Sequence, residues 1–342
     1  MSHLRQHLLA GQAIPAQPLA LDANRKLSEK HQRALTRYYV AAGCGGLAVA
    51  VHSTQFEIRD HGLLAPVLEM ASTTITEALE KTPRPFIRIA GLCGKTEQAL
   101  SEAQTALRYG YEAGLLSLGA WKGEPETEIL EHVRTVAKTI PVIGFYLQPS
   151  VGGRIFTHDF WRRFAEIENI LAIKIAPFNR YQTIDVVRAV AASGREDIAL
   201  YTGNDDTIVT DLLTPFRFDG VTRRIVGGLL GHWGVWSRSA VELLEAAKAL
   251  GDGPIPREWL TRAIEVTDMN AALFDPAHQF AGCIPGILEV LRRQGLVPSI
   301  ACLNPHEVLS PGQAEELTRV CEAYPHLTDD AFVAEHLDDW LR

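Results

Sequence analysis

Lys174 is the one charged residue in an apolar run, Leu171-Ala172-Ile173-Lys174-Ile175-Ala176-Pro177. If that run is an interior strand, an ammonium group there is costly to bury. Desolvation lowers a buried lysine's pKa and frees the neutral amine. A neutral amine at the mouth of a barrel attacks carbonyl carbon, the Schiff-base strategy. The bland alternatives are a lysine that snorkels from an edge strand or one that pairs with a buried acid. The apolar run before it ends Phe145-Tyr146-Leu147-Gln148-Pro149. Tyr146 therefore falls at a strand's C-terminal end, where a phenol can pass protons to and from a substrate. The alternative is a packing tyrosine with a satisfied hydroxyl.

Positioning these two groups requires a framework, and the chain alternates in a way that supplies one. Short apolar runs lie at Ala13–Ala20, Gly46–His52, Phe86–Gly91, Leu115–Gly119, Val142–Leu147, Leu171–Ala176, Ile198–Thr202 and Gly220–Val226. Most are apolar at both parities, as in parallel strands covered on both faces. Between them lie amphipathic stretches with caps and stops: Ser28 to about Ala42, Gly62–Lys81, Thr96–Ala113, Thr127–Lys138, Thr157–Ile167, Thr183–Ser193, Asp205–Leu213 and Val235–Leu250. Eight strand–helix units in about 250 residues predict an α/β fold, a (β/α)8 TIM barrel. An open doubly wound sheet is the runner-up, but neither GxGxxG nor GxxxxGK[ST] occurs. Gly251-Asp252-Gly253-Pro254 reads as a linker. The expected division is a catalytic barrel over 1–250 and a C-terminal helical region over 251–342, with helices at Arg257–Ala272, Ile284–Gln294, Gln313–Ala323 and Asp330–Leu341.

The 342 residues carry 33 Lys+Arg against 41 Asp+Glu, a formal net charge of −8. That balance argues against nucleic-acid or anionic-membrane partners, which need a basic face. Five scattered cysteines without a CxxC read as free thiols in a reducing compartment. No signal-peptide-like or membrane-length apolar run is seen, so a cytoplasmic protein is expected. A metal-dependent reading built on His52, Glu57 and His61 finds no recognised ligand spacing.

Tyr146-x-x-Pro149 followed 28 residues after the tyrosine by Lys174 resembles the dihydrodipicolinate synthase/N-acetylneuraminate lyase superfamily. Ala42-Gly43-Cys44-Gly45-Gly46 is similar to its Gly-rich approach to strand two, and Gly203-Asn204-Asp205-Asp206 to its acidic turn after strand seven. The resemblance runs from about Ile14 to Leu250. It implies that Lys174 forms an imine with pyruvate or another 2-oxo acid or keto sugar acid. Tyr146 would then shuttle protons, and aldol cleavage, condensation or dehydration would follow. It implies no metal or organic cofactor, and a homo-oligomer, dimer or tetramer.

The departures are as informative. Where the family has Gly-Thr-Thr-Gly-Glu, this chain has Val51-His52-Ser53-Thr54-Gln55. Ser53 and Thr54 are expected to offer donors to the substrate carboxylate, with His52 and Gln55 as substitutions beside them. Gly119-Ala120-Trp121-Lys122 stands where the synthase lends a tyrosine to its neighbour's site. Val151 stands where the synthase has an arginine, and Arg154 is the candidate replacement. Asn204 and Arg224 join the substrate-binding candidates, Arg224 as a barrel-lining carboxylate grip. Gln17, Cys93, Trp121, Gln148, Phe178, Asn179, Asp205 and Gly227 also fall near strand ends, and Asp205 and Asp206 are suited to capping the next helix. These losses point away from dihydrodipicolinate synthase proper, towards another Schiff-base aldolase or hydro-lyase. The alternative is a catalytically degenerate barrel that binds a 2-oxo acid or sugar acid as a sensor or partner subunit.

Overall fold

The computed structural model describes residues 2–342. Its strands are β1 (Ala13–Pro15), β2 (Gly46–Val49), β3 (Ile87–Leu92), β4 (Ala113–Leu116), β5 (Val142–Leu147), β6 (Ile170–Ala176), β7 (Ala199–Thr202), β8 (Phe216–Phe218), β9 (Val221–Arg223) and β10 (Ile225–Leu230). Its α-helices are α1 (His3–Leu9), α2 (Glu29–Ala41), α3 (Leu64–Lys81), α4 (Thr96–Arg108), α5 (Glu126–Ala137), α6 (His158–Ala165), α7 (Arg180–Ala192), α8 (Ile208–Leu213), α9 (Ser237–Ala249), α10 (Glu258–Phe274), α11 (Cys283–Arg293), α12 (Gln313–Ala323) and α13 (Asp330–Trp340). Eight strands pair in parallel in the order β1-β10-β7-β6-β5-β4-β3-β2. The ring closes where Ala16 bridges Ala48 and the Gln17 amide donates to the Ala48 carbonyl at 2.8 Å. This is the (β/α)8 barrel that the alternation predicts.

Two elements differ from expectation. The eighth barrel strand is Ile225–Leu230, not Gly220–Val226. Residues ahead of it form an antiparallel hairpin, β8–β9, turned at Asp219 and Gly220, both with positive φ. An Asp-Gly pair favours this two-residue turn, and a three-residue strand on each side suffices to close it. The second surprise is α1, which plugs the N-terminal end of the barrel. Its Leu8 is fully buried with Ile14 and Tyr201, and the Tyr201 hydroxyl donates to the Leu8 carbonyl at 2.7 Å. Arg5 fastens it by donating to the carbonyls of Glu168 and Ile170 at 2.7 and 2.8 Å.

Side-chain parity then sorts the strands. On β5, Ile143, Phe145 and Leu147 face the barrel interior, while Gly144 and Tyr146 face the helices. A Cβ on Gly144 would come within 2.6 Å of the Phe164 ring, so α6 lies close against the strand there. The C-terminal helices are packed on the barrel: α10 contacts α8 and α13 contacts α2. Phe274, Leu288 and Leu291 belong to the same apolar core as the barrel's outer face. The Tyr38 hydroxyl donates to Asp329 at 2.7 Å across that junction. No helix among the described residues is long and apolar enough to cross a membrane.

Candidate active site

A cavity of about 70 Å³ opens at the C-terminal ends of the strands, where barrels gather their chemistry. Phe145 and Leu147 of β5, Lys174 and Ala176 of β6, and Gly203 and Asp205 after β7 form its floor and one side. His52, Ser53 and Gln148 add polar edges. Phe274, Phe280, Cys283 and Ile287 roof it from the C-terminal helices.

Lys174 is 9% exposed and reaches this cavity because its strand parity points it inward. Its register partner is Phe145, and Nζ sits 4.4 Å from that ring's centroid. Gly203 makes room for the lysine stem, since a Cβ there would stand 2.8 Å from Lys174 Cε. Burial draws the ammonium down to about 8, with Asp205 and Cys283 opposing. Asp205 is perturbed the other way: burial lifts its carboxyl to about 7, while Lys174 pulls it back. Its Oδ1 is buried without a hydrogen-bond partner. Its backbone carbonyl accepts from Asn270 Nδ2 at 2.6 Å, which ties the turn to α10. Burial first, and then the nearby Lys174, take His52 down to about 4, so its imidazole is neutral at ordinary pH. Burial pushes the Cys283 thiol up, so it holds its proton.

The expected site residues divide. Lys174, His52 and Ser53 meet in the cavity, with Gln148, Phe178 and Asp205 from the wider set. Tyr146 does not. Its ring packs behind the sheet against Trp161 and Phe156, and its hydroxyl accepts from the Phe156 amide at 3.3 Å. Burial raises that phenol to about 12. The cause is register: Phe145, not Tyr146, pairs with Lys174, and neighbouring positions on a strand face opposite ways.

The remaining candidates have structural partners. Thr54 Oγ1 donates to the Gln17 carbonyl at 2.6 Å and accepts from the Val51 amide at 3.2 Å. Gln55 has φ of 66°, and its Oε1 accepts from the Leu303 amide at 2.6 Å, joining the barrel to the tail. Arg154 Nη1 donates to the carbonyls of Trp121, Lys122 and Glu124, which holds the loop after β4, and the residue does not line the Lys174 cavity. Arg224 lies at the N-terminal foot of β10, paired with Asp252, on the end of the barrel away from the cavity. Asn204 lies beneath the cavity floor. Its Oδ1 accepts from the Phe178 amide at 3.0 Å, and its Nδ2 donates to Thr183 and Asp211 at 3.1 and 3.0 Å. Asp205 does not cap α8, whose first turn opens after Thr207 with no side-chain cap. Trp121, in the place of the synthase's tyrosine, lies under the Lys95 ammonium at 3.9 Å and outside the cavity.

The tail residues Phe274, Phe280, Cys283 and Ile287 were not expected in the site. The one local signal for them is Asp275-Pro276 with Gly282, a turn-rich break between two helical stretches that holds an aromatic.

The family model for the dihydrodipicolinate synthetase family matches residues 11–226. A 4-hydroxy-tetrahydrodipicolinate synthase of Acaryochloris marina is 30% identical over 180 residues, which cover 47% of this chain and 58% of that protein. The chain thus spans less than two thirds of that relative. The same enzyme of Dechloromonas aromatica is 27% identical over 232 residues, 61% of this chain and 76% of the relative. An N-acetylneuraminate lyase of Citrobacter koseri is 25% identical over 203 residues, 58% of this chain and 64% of the relative. The solved dihydrodipicolinate synthase of Cyanidioschyzon merolae, with lysine bound, superposes with a TM-score of 0.75 at 19% identity, covering 94% of this chain and 99% of that one. With a Lys174-bearing barrel and a match over most of that barrel's length, this chain belongs to the dihydrodipicolinate synthetase family.

Proposed function

We propose that this protein is a Schiff-base-forming lyase, an aldolase or hydro-lyase, that acts on pyruvate or another 2-oxo acid. The observation that carries the reading is the pair of Lys174 and Asp205 lining one cavity, each shifted by burial towards its uncharged form. The neutral Lys174 amine attacks the C2 carbonyl carbon, and the carbonyl oxygen takes up a proton. Loss of that oxygen as water needs a second proton from a group facing the cavity. Asp205 is the group that both holds and releases a proton near neutrality. His52 is already deprotonated, and the Cys283 thiol is too weak an acid. The resulting iminium draws electrons from C3, so a C3 proton or a C3–C4 bond is released with formation of the enamine. The ionised Asp205 accepts that proton. His52 is the neutral hydrogen-bonding group proposed to face the substrate carboxylate, while the Ser53 hydroxyl beside it donates to the Ala16 carbonyl at 2.9 Å.

One observation favours the second reading, a barrel that binds a 2-oxo acid without turning it over: the phenol expected beside Lys174 faces the helices. Proton exchange separates the two. The protein is incubated with pyruvate in heavy water, and the methyl resonance is followed by NMR. Enamine formation replaces methyl hydrogen by deuterium at a rate that scales with protein and vanishes in Lys174→Ala. Retention of the methyl protons in the presence of bound pyruvate would leave the binding reading.

A further inference from the structure

The wall between Lys174 and solvent is aromatic and strained. Phe178, in the loop after β6, stacks on Phe280, in the loop between α10 and α11, with ring centroids 5.7 Å apart and planes 16° from parallel. Both have positive φ, 48° and 67°. A bulky residue in that backbone region costs about 1–3 kcal/mol, and such strain gathers at ligand clamps. The conformation is held by specific bonds: the Phe178 amide to Asn204 Oδ1, and the Phe280 amide to the Asp275 carbonyl, each at 3.0 Å.

Beyond this wall lies a second pocket of about 210 Å³. Phe178, Phe274, Phe280 and Asp205 line both the inner cavity and this outer one. Small shifts of the two stacked rings would therefore merge them. The outer pocket's other walls include Ala271 and Pro276, and neither pocket has a guanidinium. Its donors are engaged elsewhere, the Thr267 hydroxyl with the Asp206 and Ala263 carbonyls and Asn270 Nδ2 with the Asp205 carbonyl, which leaves the Asn270 and Asp205 Oδ1 atoms as its unpartnered acceptors. Carboxylates of Asp205 and Asp206 at the rim disfavour an anionic group.

Resting on the Schiff-base reading of Lys174, we infer that the substrate is a 2-oxo acid whose distal part is apolar and flat. That part passes between Phe178 and Phe280 into the outer pocket while the keto carbon stays at Lys174. The rings then exchange their mutual stack for contact with the substrate, an arrangement that aromatic faces favour.

The test measures half-saturating concentrations for borohydride trapping at Lys174 with 2-oxo-4-phenylbutanoate, 2-oxoglutarate, a 3-deoxy-2-oxo sugar acid and pyruvate. The phenyl compound should half-saturate at roughly tenfold lower concentration than the dicarboxylate and the sugar acid. Ala271→Trp fills the outer pocket from an exposed helix position. It should raise the phenyl compound's value about tenfold relative to pyruvate's, a ratio that cancels general damage. Equal values for all compounds, preference for the dicarboxylate or sugar acid, or an unchanged ratio in Ala271→Trp would overturn the inference. Calorimetry with 4-phenylbutanoate and glutarate, which have no ketone, judges the pocket independently of imine formation. Tighter binding of the phenyl acid supports it even if trapping fails, and equal or reversed binding refutes it.

Discussion

Phe145 and Lys174 are register partners on adjacent strands, and the phenyl face lies 4.4 Å from the ammonium nitrogen. That pairing places an uncharged ring, which moves no protons, directly beside the amine. It also turns Tyr146 to the opposite face. Tyr146→Phe is therefore expected to keep pyruvate exchange within about threefold of the parent and to cost about 1 kcal/mol of stability through the lost Phe156 bond. Parallel exchange assays and thermal melts check both. A hundredfold loss of exchange with an unchanged melt would put the phenol back in the mechanism.

Asp205→Asn keeps the shape of the side chain and removes its proton chemistry. Turnover is expected to fall by about 10²–10⁴-fold. Removal of the carboxylate also takes away a charge that holds the Lys174 ammonium up against the effect of burial. The amine of the variant should therefore become nucleophilic at lower pH. Rates of alkylation of Lys174 across pH would show its titration moving down; no movement would separate the two groups.

The same pair sets the pH profile of the parent. The chemistry needs Lys174 neutral, favoured above about 8, and Asp205 protonated, favoured below about 7. Their product peaks where the two ranges meet, so kcat/KM should be bell-shaped with an optimum near neutrality and limbs that belong to the pair jointly. A profile that rises to a plateau above pH 9 would exclude the acid's role.

A lysine held below its unfolded pKa destabilises the fold wherever the unfolded chain is protonated and the native site must be too. Lys174→Met should then be more stable at neutral pH by up to about 3 kcal/mol, from the drop from 10.5 to about 8. The native amine loses its charge above about 8 while the unfolded one keeps it to 10.5, so the advantage should shrink across that interval. Melts of both proteins between pH 7 and 10.5 measure it.

Arg154 donates to three carbonyls of the loop after β4 and does not line the Lys174 cavity. Arg154→Ala should lower stability by about 1–3 kcal/mol, with little change in the half-saturating pyruvate concentration. A large rise in that concentration with an unchanged melt would restore it as a carboxylate grip.

The barrel was readable because both-parity apolar runs and amphipathic stretches alternate eight times, and seven of the runs overlap a barrel strand over half or more of its length. Lys174 was readable because a charge inside such a run has few bland explanations. Tyr146 was misplaced because a one-residue difference in register reverses the face, and spacing along the chain does not carry register. Arg224 was misplaced because the hairpin takes Val221–Arg223, so the barrel strand begins only at Ile225 and Arg224 falls at its foot, away from the mouth. Phe280 and Cys283 were invisible because they reach the site from more than a hundred residues beyond Lys174, through tertiary packing of the tail.

Capture of a keto carbon by the Lys174 amine is the step on which the proposed chemistry rests. The direct measurement is borohydride reduction with carbonyl-labelled pyruvate, followed by peptide mapping of the parent and Lys174→Ala. Label is expected on the peptide that contains Lys174, and none anywhere in a folded Lys174→Ala variant. Label on another lysine, equal label in both proteins, or none in a parent that binds pyruvate would contradict it.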